Sequence, residues 1–276
     1  MKIAHISDLH FFHFSLNPLQ LFSKRLLGTL NSILMRKHLH SHEKLESLPS
    51  LFHELGVDHI LVCGDLSTTS HKKEFSKALK LVEEFERKGI SVFTVPGNHD
   101  QYTRRAFREK IFYNYFGCSE LSEKKVAAEE LKDGWWLVRL DTAVATSWIS
   151  SRGLFSLETE SHLEETLSSL PKDSKVILMN HFPFFQHDSS RKNLERGSDL
   201  RALIQNFPNI KLYVHGHTHR HCIADLRSSG LPIILDSGSV TSGVWNLIDL
   251  NKDGMKIQVF GWENSWKYNR KMALKW

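Results

Sequence analysis

The sequence is poor in cysteine and in long apolar runs. Its three cysteines, Cys63, Cys118 and Cys222, are too few and too scattered for a disulfide framework or a thiolate zinc site. No apolar run approaches the roughly 20 residues that a membrane-spanning helix needs. In the opening MKIAHISDLHFFHF, Asp8 and His10 interrupt what would be the apolar core of a signal peptide. These absences predict a cytoplasmic protein.

A strong charge imbalance is also lacking. The 36 Lys and Arg residues exceed the 31 Asp and Glu residues by a formal net charge of only +5, and the basic residues form no continuous block. This mild excess is compatible with a phosphorylated substrate or an anionic membrane surface, but it indicates no specific nucleic-acid partner.

Short β-rich runs alternate with amphipathic helical patterns along most of the chain. The runs predict strands over 2–7, 59–63, 91–95, 135–140, 175–180 and 211–215, and the apolar spacing predicts helices over 72–89 and 156–170. After residue 222, short strands separated by turn residues predict an antiparallel meander. We therefore predict one α/β domain over 1–276, with a helical insertion at about 14–45 and a β-rich part from about 222.

Residues with metal-binding side chains follow five of these predicted strands. The strand ends read SDLH, CGDL, VPGNHD, NHFP and HGHTH. Each motif alone is more often a turn or a polar strand end. Together they place possible ligands at the carboxyl edge of a sheet, where open α/β sheets bind their ligands. The convergence predicts a metal site at that edge.

The last of these motifs lies in the run LYVHGHTHRHC, which has a histidine at every second position from His215 to His221. A plain strand would place all four imidazoles on one solvated face. Against that reading, Gly216 is a poor residue for a strand interior, and imidazole is the commonest metal ligand near neutral pH. The run alone leaves both interpretations open.

The ordered set SDLH, GDLS, GNHD, NHFP and GHTH resembles the calcineurin-like metallophosphoesterase superfamily, from Ile3 to about His219. The form of these motifs is similar to that in bacterial cyclic-nucleotide phosphodiesterases and the related UDP-diacylglucosamine pyrophosphatases. The resemblance implies an α/β fold, a four-layered α/β/β/α sandwich of two mixed sheets flanked by helices. It also implies a dinuclear centre that hydrolyses phosphoesters with a metal-bound hydroxide.

Residue by residue, the resemblance implies two ligand sets that share one carboxylate. One ion takes Asp8, His10, Asp65 and His219, and the other takes Asp65, Asn98, His181 and His217. His215 then belongs to the strand, and His221 lies outside the direct ligands. Carboxylate and imidazole donors fit Mn²⁺, Fe²⁺/Fe³⁺ and Zn²⁺ alike.

The resemblance also implies a catalytic role for His99, which would protonate the leaving oxygen or stabilise the transition state, with Asp100 orienting its ring. The pyrophosphatase branch often carries Arg in the place of His99, so the histidine favours a phosphodiesterase.

Two basic clusters are candidates for binding a second phosphate or a nucleotide, because arginine binds phosphate in bidentate fashion. They are Tyr102, Arg104 and Arg105 after GNHD, and Arg191, Lys192 and Arg196 after His181. A solvated loop is the alternative in both cases. The segment 19–39, apolar with basic ends, predicts a helix that either packs on the core or makes peripheral contact with a membrane.

These features predict a dinuclear phosphodiesterase acting on a nucleotide or a small phosphorylated metabolite. One alternative is a UDP-diacylglucosamine-type pyrophosphatase at a membrane surface. The other is a non-catalytic scaffold of the same fold, which the complete set of ligand types disfavours.

Overall fold

The structure, a computed structural model, describes residues 1–13, 41–147 and 149–276. The α-helices in these ranges are α1 (Ser41–Glu54), α2 (Lys72–Arg87), α3 (Arg104–Arg108), α4 (Ile111–Tyr115), α5 (Ser119–Lys124), α6 (Leu157–Ser169) and α7 (Gly197–Asn206). The strands are β1 (Lys2–Ile6), β2 (His59–Val62), β3 (Ser91–Thr94), β4 (Val126–Glu130), β5 (Trp135–Leu140), β6 (Gly153–Leu154), β7 (Lys175–Met179), β8 (Leu194–Glu195), β9 (Ile210–His215), β10 (His221–Asp225), β11 (Ile233–Ser237), β12 (Val244–Leu250), β13 (Gly254–Trp262) and β14 (Trp266–Lys275).

Most strands belong to two six-stranded mixed sheets. The first has the order β14-β13-β12-β1-β2-β3, with β1, β2 and β3 parallel and the other three antiparallel. The second has the order β10-β11-β9-β7-β5-β4, in which the four central strands are parallel. Strands β6 and β8 form a separate short pair. All six strands predicted before residue 216 are present, within one residue at either end.

Alternation along the strands creates three apolar interfaces. Between the two sheets, Ile3 and Leu61 of the first sheet share one cluster with Ile177 of the second. The opposite face of the first sheet packs against α1 and α2, and that of the second packs against α6 and α7. The result is the helix–sheet–sheet–helix order that the resemblance implied, so the predicted fold is confirmed.

The two predicted helices begin and end where their sequences indicate. His71 caps α2 by accepting a hydrogen bond from the Lys73 amide, while Glu74 reaches back to the His71 amide at 3.1 Å. Gly89 follows the end of α2 with φ +79°, which is the left-handed conformation that glycine adopts most easily. Ser156 caps α6 by accepting from the Thr159 amide at 3.1 Å.

The predicted C-terminal meander is wrong as a single unit. Strands β10 and β11 join the second sheet, where β11 runs parallel to β9, whereas β12, β13 and β14 extend the first sheet. The chain changes sheets after β11, where the Val240 amide donates to the Ser7 carbonyl at 3.1 Å. Local turn residues indicate that strands are separate, but the sheet each strand joins depends on distant partners.

The predicted insertion at 14–45 lies outside the described residues except for 41–45, which begin α1. The helix predicted over 19–39 lies outside them entirely. Among the helices that the structure does describe, none has both the length and the apolarity needed to cross a bilayer.

Candidate metal centre

Strands from both sheets end at a common edge, and the predicted ligands follow them. Asp8 lies just after β1, Asp65 after β2, His181 after β7 and His217 after β9. The Asp8 amide donates to the Gly64 carbonyl at 3.1 Å, which ties the end of β1 to the end of β2. The two sheets thus bring residues from distant parts of the sequence into one cluster.

Five of the seven predicted ligands have a left-handed backbone. The φ angles are +58° for Asp8, +48° for His10, +55° for Asp65, +69° for His217 and +57° for His219. A non-glycine residue held in a sparsely populated conformation costs about 1–3 kcal/mol, and such residues concentrate at functional sites. This concentration marks the edge as a site where the directions of the side chains are kept at the cost of backbone conformational energy.

Gly216 allows the histidine loop to approach the end of β1. A Cβ on Gly216 would lie 2.8 Å from Asp8 Oδ2 and would overlap the Ser7 hydroxyl. No larger residue fits there without displacing a predicted ligand. The unusual glycine in the histidine run is therefore explained by close packing against Asp8.

Three of the predicted ligands form what we call the outer group: Asp8, His10 and His219. His219 Nε2 lies 3.0 Å and His10 Nε2 3.6 Å from Asp8 Oδ1. The two imidazoles approach each other to 3.4 Å through their Nε2 atoms. One ligand atom from each residue lies within 4.8 Å of the other two, which is close enough for a common metal ion.

Three others form the inner group: Asn98, His181 and His217. Asn98 Oδ1 lies 2.9 Å from His217 Nδ1 and 3.2 Å from His181 Nε2, and these two nitrogens are 3.2 Å apart. Two imidazole nitrogens and an amide oxygen therefore converge on one point.

Asp65 lies between the two groups. Its Oδ2 is 3.9 Å from His10 Nε2 of the outer group and 3.6 Å from His181 Nε2 of the inner group. Its Oδ1 accepts a hydrogen bond from the His99 amide at 2.8 Å, which fixes the carboxylate plane. The position agrees with that of a carboxylate shared by two ions.

The inner imidazoles are oriented by backbone carbonyls. His181 Nδ1 donates to the Cys63 carbonyl at 2.7 Å, which leaves Nε2 for the centre. His217 Nε2 donates to the Lys192 carbonyl at 2.8 Å, which leaves Nδ1 for the centre. Metal-binding histidines commonly use their second nitrogen in this way, because the hydrogen bond fixes both tautomer and ring direction.

The electrostatics of the cluster suit a bound cation. Burial, the charge of Asp8 and the charge of Asp100 raise the pKa of Asp65 well above its usual value. Burial lowers the pKa of His10, His181 and His217, so these rings are neutral near pH 7, as ligands must be. Within the described residues, the buried Asp8 Oδ1 accepts no well-oriented hydrogen bond. Buried carboxylates beside neutral imidazoles therefore fit metal ions.

His99 lies beside the outer group, with its ring 4.9 Å from that of His10 and at a right angle to it. The structure corrects the role predicted for Asp100. The ring of His99 donates through Nδ1 to the Thr68 carbonyl at 2.7 Å. The Asp100 carboxylate instead accepts from the amides of Leu66, Ser67 and Gly97 at 2.8–3.1 Å and closes the turn that carries Asn98.

The tentative substrate-binding residues lie in different surroundings. Tyr102 is buried and stacks on His99, with ring centroids 5.3 Å apart. Arg104 and Arg105 are exposed on α3, and Arg105 pairs with Glu109 at 2.8 Å.

In the second basic cluster, Lys192 lines the metal cleft and pairs with Asp188 at 2.7 Å. Arg191 lines the neighbouring cavity. Arg196 pairs with Glu160 at 2.5 Å. Of the six tentative residues, Tyr102 lies beside His99 and Lys192 beside the predicted ligand His217.

The cleft above the ligands has a volume of about 330 Å³. The sequence did not predict Thr68, whose carbonyl binds His99, or four residues that line the cleft: Ser151, His187, Thr218 and Arg220. Thr218 stands inside the GHTH motif but is not a ligand type that the motif marks, and the other four lie outside the motifs, so no local signal marks them. His215 ends β9 as predicted, and His221 is engaged with Asn246 at 2.7 Å, away from the ligands.

Comparisons with known proteins place this geometry in context. A family model described as calcineurin-like phosphoesterase matches residues 1–221. The chain is 25% identical to a 3',5'-cyclic-nucleotide phosphodiesterase of Nostoc sp. (strain PCC 7120), over 92% of this chain and 89% of that protein.

Two further similarities are weaker in sequence or shorter in extent. The chain is 25% identical to the 3',5'-cyclic adenosine monophosphate phosphodiesterase CpdA of Haemophilus influenzae, over 59% of this chain and 55% of that protein. A dimetal phosphatase from Danio rerio has a similar fold, with a TM-score of 0.70 at 13% identity over 99% of this chain and 98% of that one.

Proposed function

The chain belongs to the calcineurin-like phosphoesterase family, and we propose that within it the protein is a dinuclear phosphodiesterase that cleaves a nucleotide or a small phosphorylated metabolite. Family membership makes the chain a hydrolase of phosphoester bonds. The observation that carries the proposal is the convergence of seven donor side chains on two points with Asp65 between them. The two curated relatives, both named as cyclic-nucleotide phosphodiesterases, favour a diester substrate.

We assign one ion to the outer group with Asp65 and the other to the inner group with Asp65. Ions bound there would polarise the phosphoryl oxygens and supply hydroxide at neutral pH. The donor set suits Mn²⁺, iron and Zn²⁺. Asn98 contributes a neutral oxygen, so the loaded centre keeps enough positive charge to attract a phosphate.

His99 is the residue we assign to proton transfer. Because Nδ1 is held by the Thr68 carbonyl, Nε2 is the atom that can face a leaving oxygen. Tyr102 stacks nearly parallel to the ring, at an interplanar angle of 10°, and limits its rotation. Burial lowers the pKa of His99 to about 4 in the free protein. The negative charge of a bound phosphate would have to raise this pKa before the ring could donate a proton at pH 7.

A substrate panel tests the proposal. The metal-stripped protein would be reconstituted separately with Mn²⁺, Fe²⁺ and Zn²⁺ and assayed with bis-p-nitrophenyl phosphate, p-nitrophenyl phosphate, cyclic AMP and a UDP-diacyl sugar. We expect diester hydrolysis to exceed monoester hydrolysis with at least one metal. Strong preference for the UDP-diacyl sugar would replace the proposal with the pyrophosphatase alternative, and inactivity on all four with every metal would overturn it.

Membrane contact through 19–39 stays a prediction from the basic ends of that segment. Co-sedimentation with anionic vesicles at low salt, weakening as salt rises, would support it, because screening shortens the reach of surface charges.

A further inference from the structure

Two loop segments form one side of the metal cleft, and we call them the wall: residues 150–152 and 190–195. The Ser151 amide and the Ser150 hydroxyl each donate to the Arg191 carbonyl at 2.9 Å. Next to these bonds, β6 pairs with β8, which joins the same two segments further along the chain. His217 anchors the wall to the inner group through its bond to the Lys192 carbonyl at 2.8 Å.

The wall separates the metal cleft from a second cavity. Ser151 and Lys192 line the cleft, whereas their neighbours Ser150, Arg152 and Arg191 line a cavity of about 390 Å³. Since these neighbours are adjacent in sequence, the cleft and the second cavity lie on two sides of the same stretch of chain. A ligand of modest length can therefore reach across the wall.

A third cavity, of about 510 Å³, continues the second one, since Arg152 and Ser190 line both. Each volume falls in the range of small-molecule sites, about 300–1,000 Å³. We call the two cavities together the arginine pocket. Its charged and aromatic lining consists of Arg152, Arg191, Arg196, Arg201, Glu195, Phe184 and Phe185.

The charge of the arginine pocket suits an anion. Four arginines and one glutamate line it, and that glutamate pairs with Arg152 at 3.1 Å. Arg196 is paired with Glu160. Arg191 and Arg201 are exposed, and neither takes part in an ion pair with any residue that the structure describes. Two guanidinium groups therefore remain to bind phosphate, for which arginine has the matching geometry.

The pocket also offers an aromatic surface. Phe184 is buried and packs edge to face on Phe185, with ring centroids 5.7 Å apart. Phe185 is 38% exposed and lines the third cavity, so its ring is accessible to a ligand there. Planar bases stack on such rings, and every base has a face that can do so.

We propose that the arginine pocket binds the part of the substrate beyond the scissile phosphate, and that this part is a nucleotide moiety with a second phosphate. The base would stack on Phe185, with Arg201 in the same cavity, and the second phosphate would bind Arg191 in the cavity next to the wall. The inference rests on the proposed function, since it places the scissile phosphate at the metal centre. It deepens that function by favouring a substrate larger than a cyclic mononucleotide, which has one phosphate only.

Direct binding tests the pocket without catalysis. Isothermal titration calorimetry would compare ADP with cyclic AMP on the metal-free protein. We expect ADP to bind at least ten-fold more tightly, and the double variant Arg191→Ala/Arg201→Ala to lose at least ten-fold of ADP affinity. The control Arg87→Ala, which removes an exposed arginine of α2, should bind ADP as the unaltered protein does. Equal ADP affinity in the double variant and the control would overturn the proposal.

Kinetics on the metal-loaded enzyme then test whether the pocket is part of the substrate site. ADP should compete with bis-p-nitrophenyl phosphate, raising KM without changing kcat. The double variant should lower the ratio of kcat/KM for the dinucleotide 5′-phosphoadenylyl-adenosine over that for bis-p-nitrophenyl phosphate by at least ten-fold. ADP binding that changes kcat alone would identify an effector site and contradict the substrate assignment. If no diester is hydrolysed but ADP binding still requires the arginines, the proposed function fails and the pocket stands.

Discussion

The outer and inner groups of the metal centre differ in exposure and in support. The His219 side chain is 43% exposed and that of His10 is 11% exposed, whereas the His181 side chain is fully buried. Both inner imidazoles are fixed by backbone carbonyls of Cys63 and Lys192, while the outer pair approach each other at the mouth of the cleft. The inner imidazoles are thus held by the core, whereas one outer imidazole, that of His219, faces solvent. We expect the inner ion to exchange more slowly than the outer one.

The largest effect should come from Asp65→Ala, because this substitution removes the carboxylate that both groups approach. We expect loss of both ions and activity at the background level, measured by elemental analysis and by hydrolysis of bis-p-nitrophenyl phosphate. Asp173→Ala, which removes an exposed carboxylate, serves as the control. Full metal content and activity in Asp65→Ala would show that the two groups do not share this ligand.

His99→Ala should follow, and it probes the solvent-facing half of the centre. The variant should keep both ions yet lose roughly two to four orders of magnitude in turnover on an ester with a poor leaving group. The loss should shrink for a nitrophenyl ester, since nitrophenolate departs with little need of a proton. An equal loss on both esters would favour electrostatic stabilisation instead, and loss of metal would place His99 among the ligands.

Removing one histidine from each group tests the comparison itself. His219→Ala should lose the outer ion and retain the inner one. His181→Ala should release the inner ion and also lower the unfolding midpoint, because it leaves a gap in the buried core. Metal content after dialysis against graded chelator, with a melting curve for each variant, measures both effects. Identical metal loss in the two variants would remove the distinction between the groups.

The smallest effect concerns His5, which lies in β1 below the ligands with Nε2 3.1 Å from the His215 carbonyl. Burial, followed by the charge of His215, lowers the pKa of His5 from 6.5 to about 3. The unfolded chain then binds the proton first as pH falls. Protonation of His5 therefore does not reduce the free energy of unfolding above pH 6.5. Between pH 6.5 and pH 3 it lowers that free energy by up to about 1.4 kcal/mol per pH unit.

His5→Gln should therefore flatten the decline in the free energy of unfolding between pH 7 and pH 5 by about 2 kcal/mol. Urea denaturation of the metal-free protein at the two pH values measures this slope. An unchanged slope would mean that His5 is charged, or solvated, in the folded protein.

The sequence predicts best where the chemistry is local. Alternation of apolar residues placed the strands, and the motifs at their ends placed Asp8 and Asp65, because a strand end brings its next residues to the sheet edge. The partner of His99 was not predictable in the same way. Asp100 is its neighbour in the chain, but the four donors of the turn occupy that carboxylate, and the ring turns to the Thr68 carbonyl 31 residues away.

The C-terminal strands show the same limit on a larger scale. Turn residues separate β11 from β12, but no local sequence signal predicts that β11 pairs with β9 and β12 with β1. The arginine pocket shows the same limit, since Arg152 beside β6 and Arg201 in α7 line one cavity although they are distant in sequence.

The left-handed ligands have a consequence for how this chain can evolve. At Asp8, His10, Asp65, His217 and His219, glycine would relieve a backbone cost that the present residues impose on the folded state. Selection for thermal robustness alone would therefore drift toward glycine at the very positions that selection for hydrolysis must hold. A descendant freed from its substrate should lose these side chains early and gain stability in doing so. Their joint presence in one chain fits the metal-dependent hydrolase proposed above.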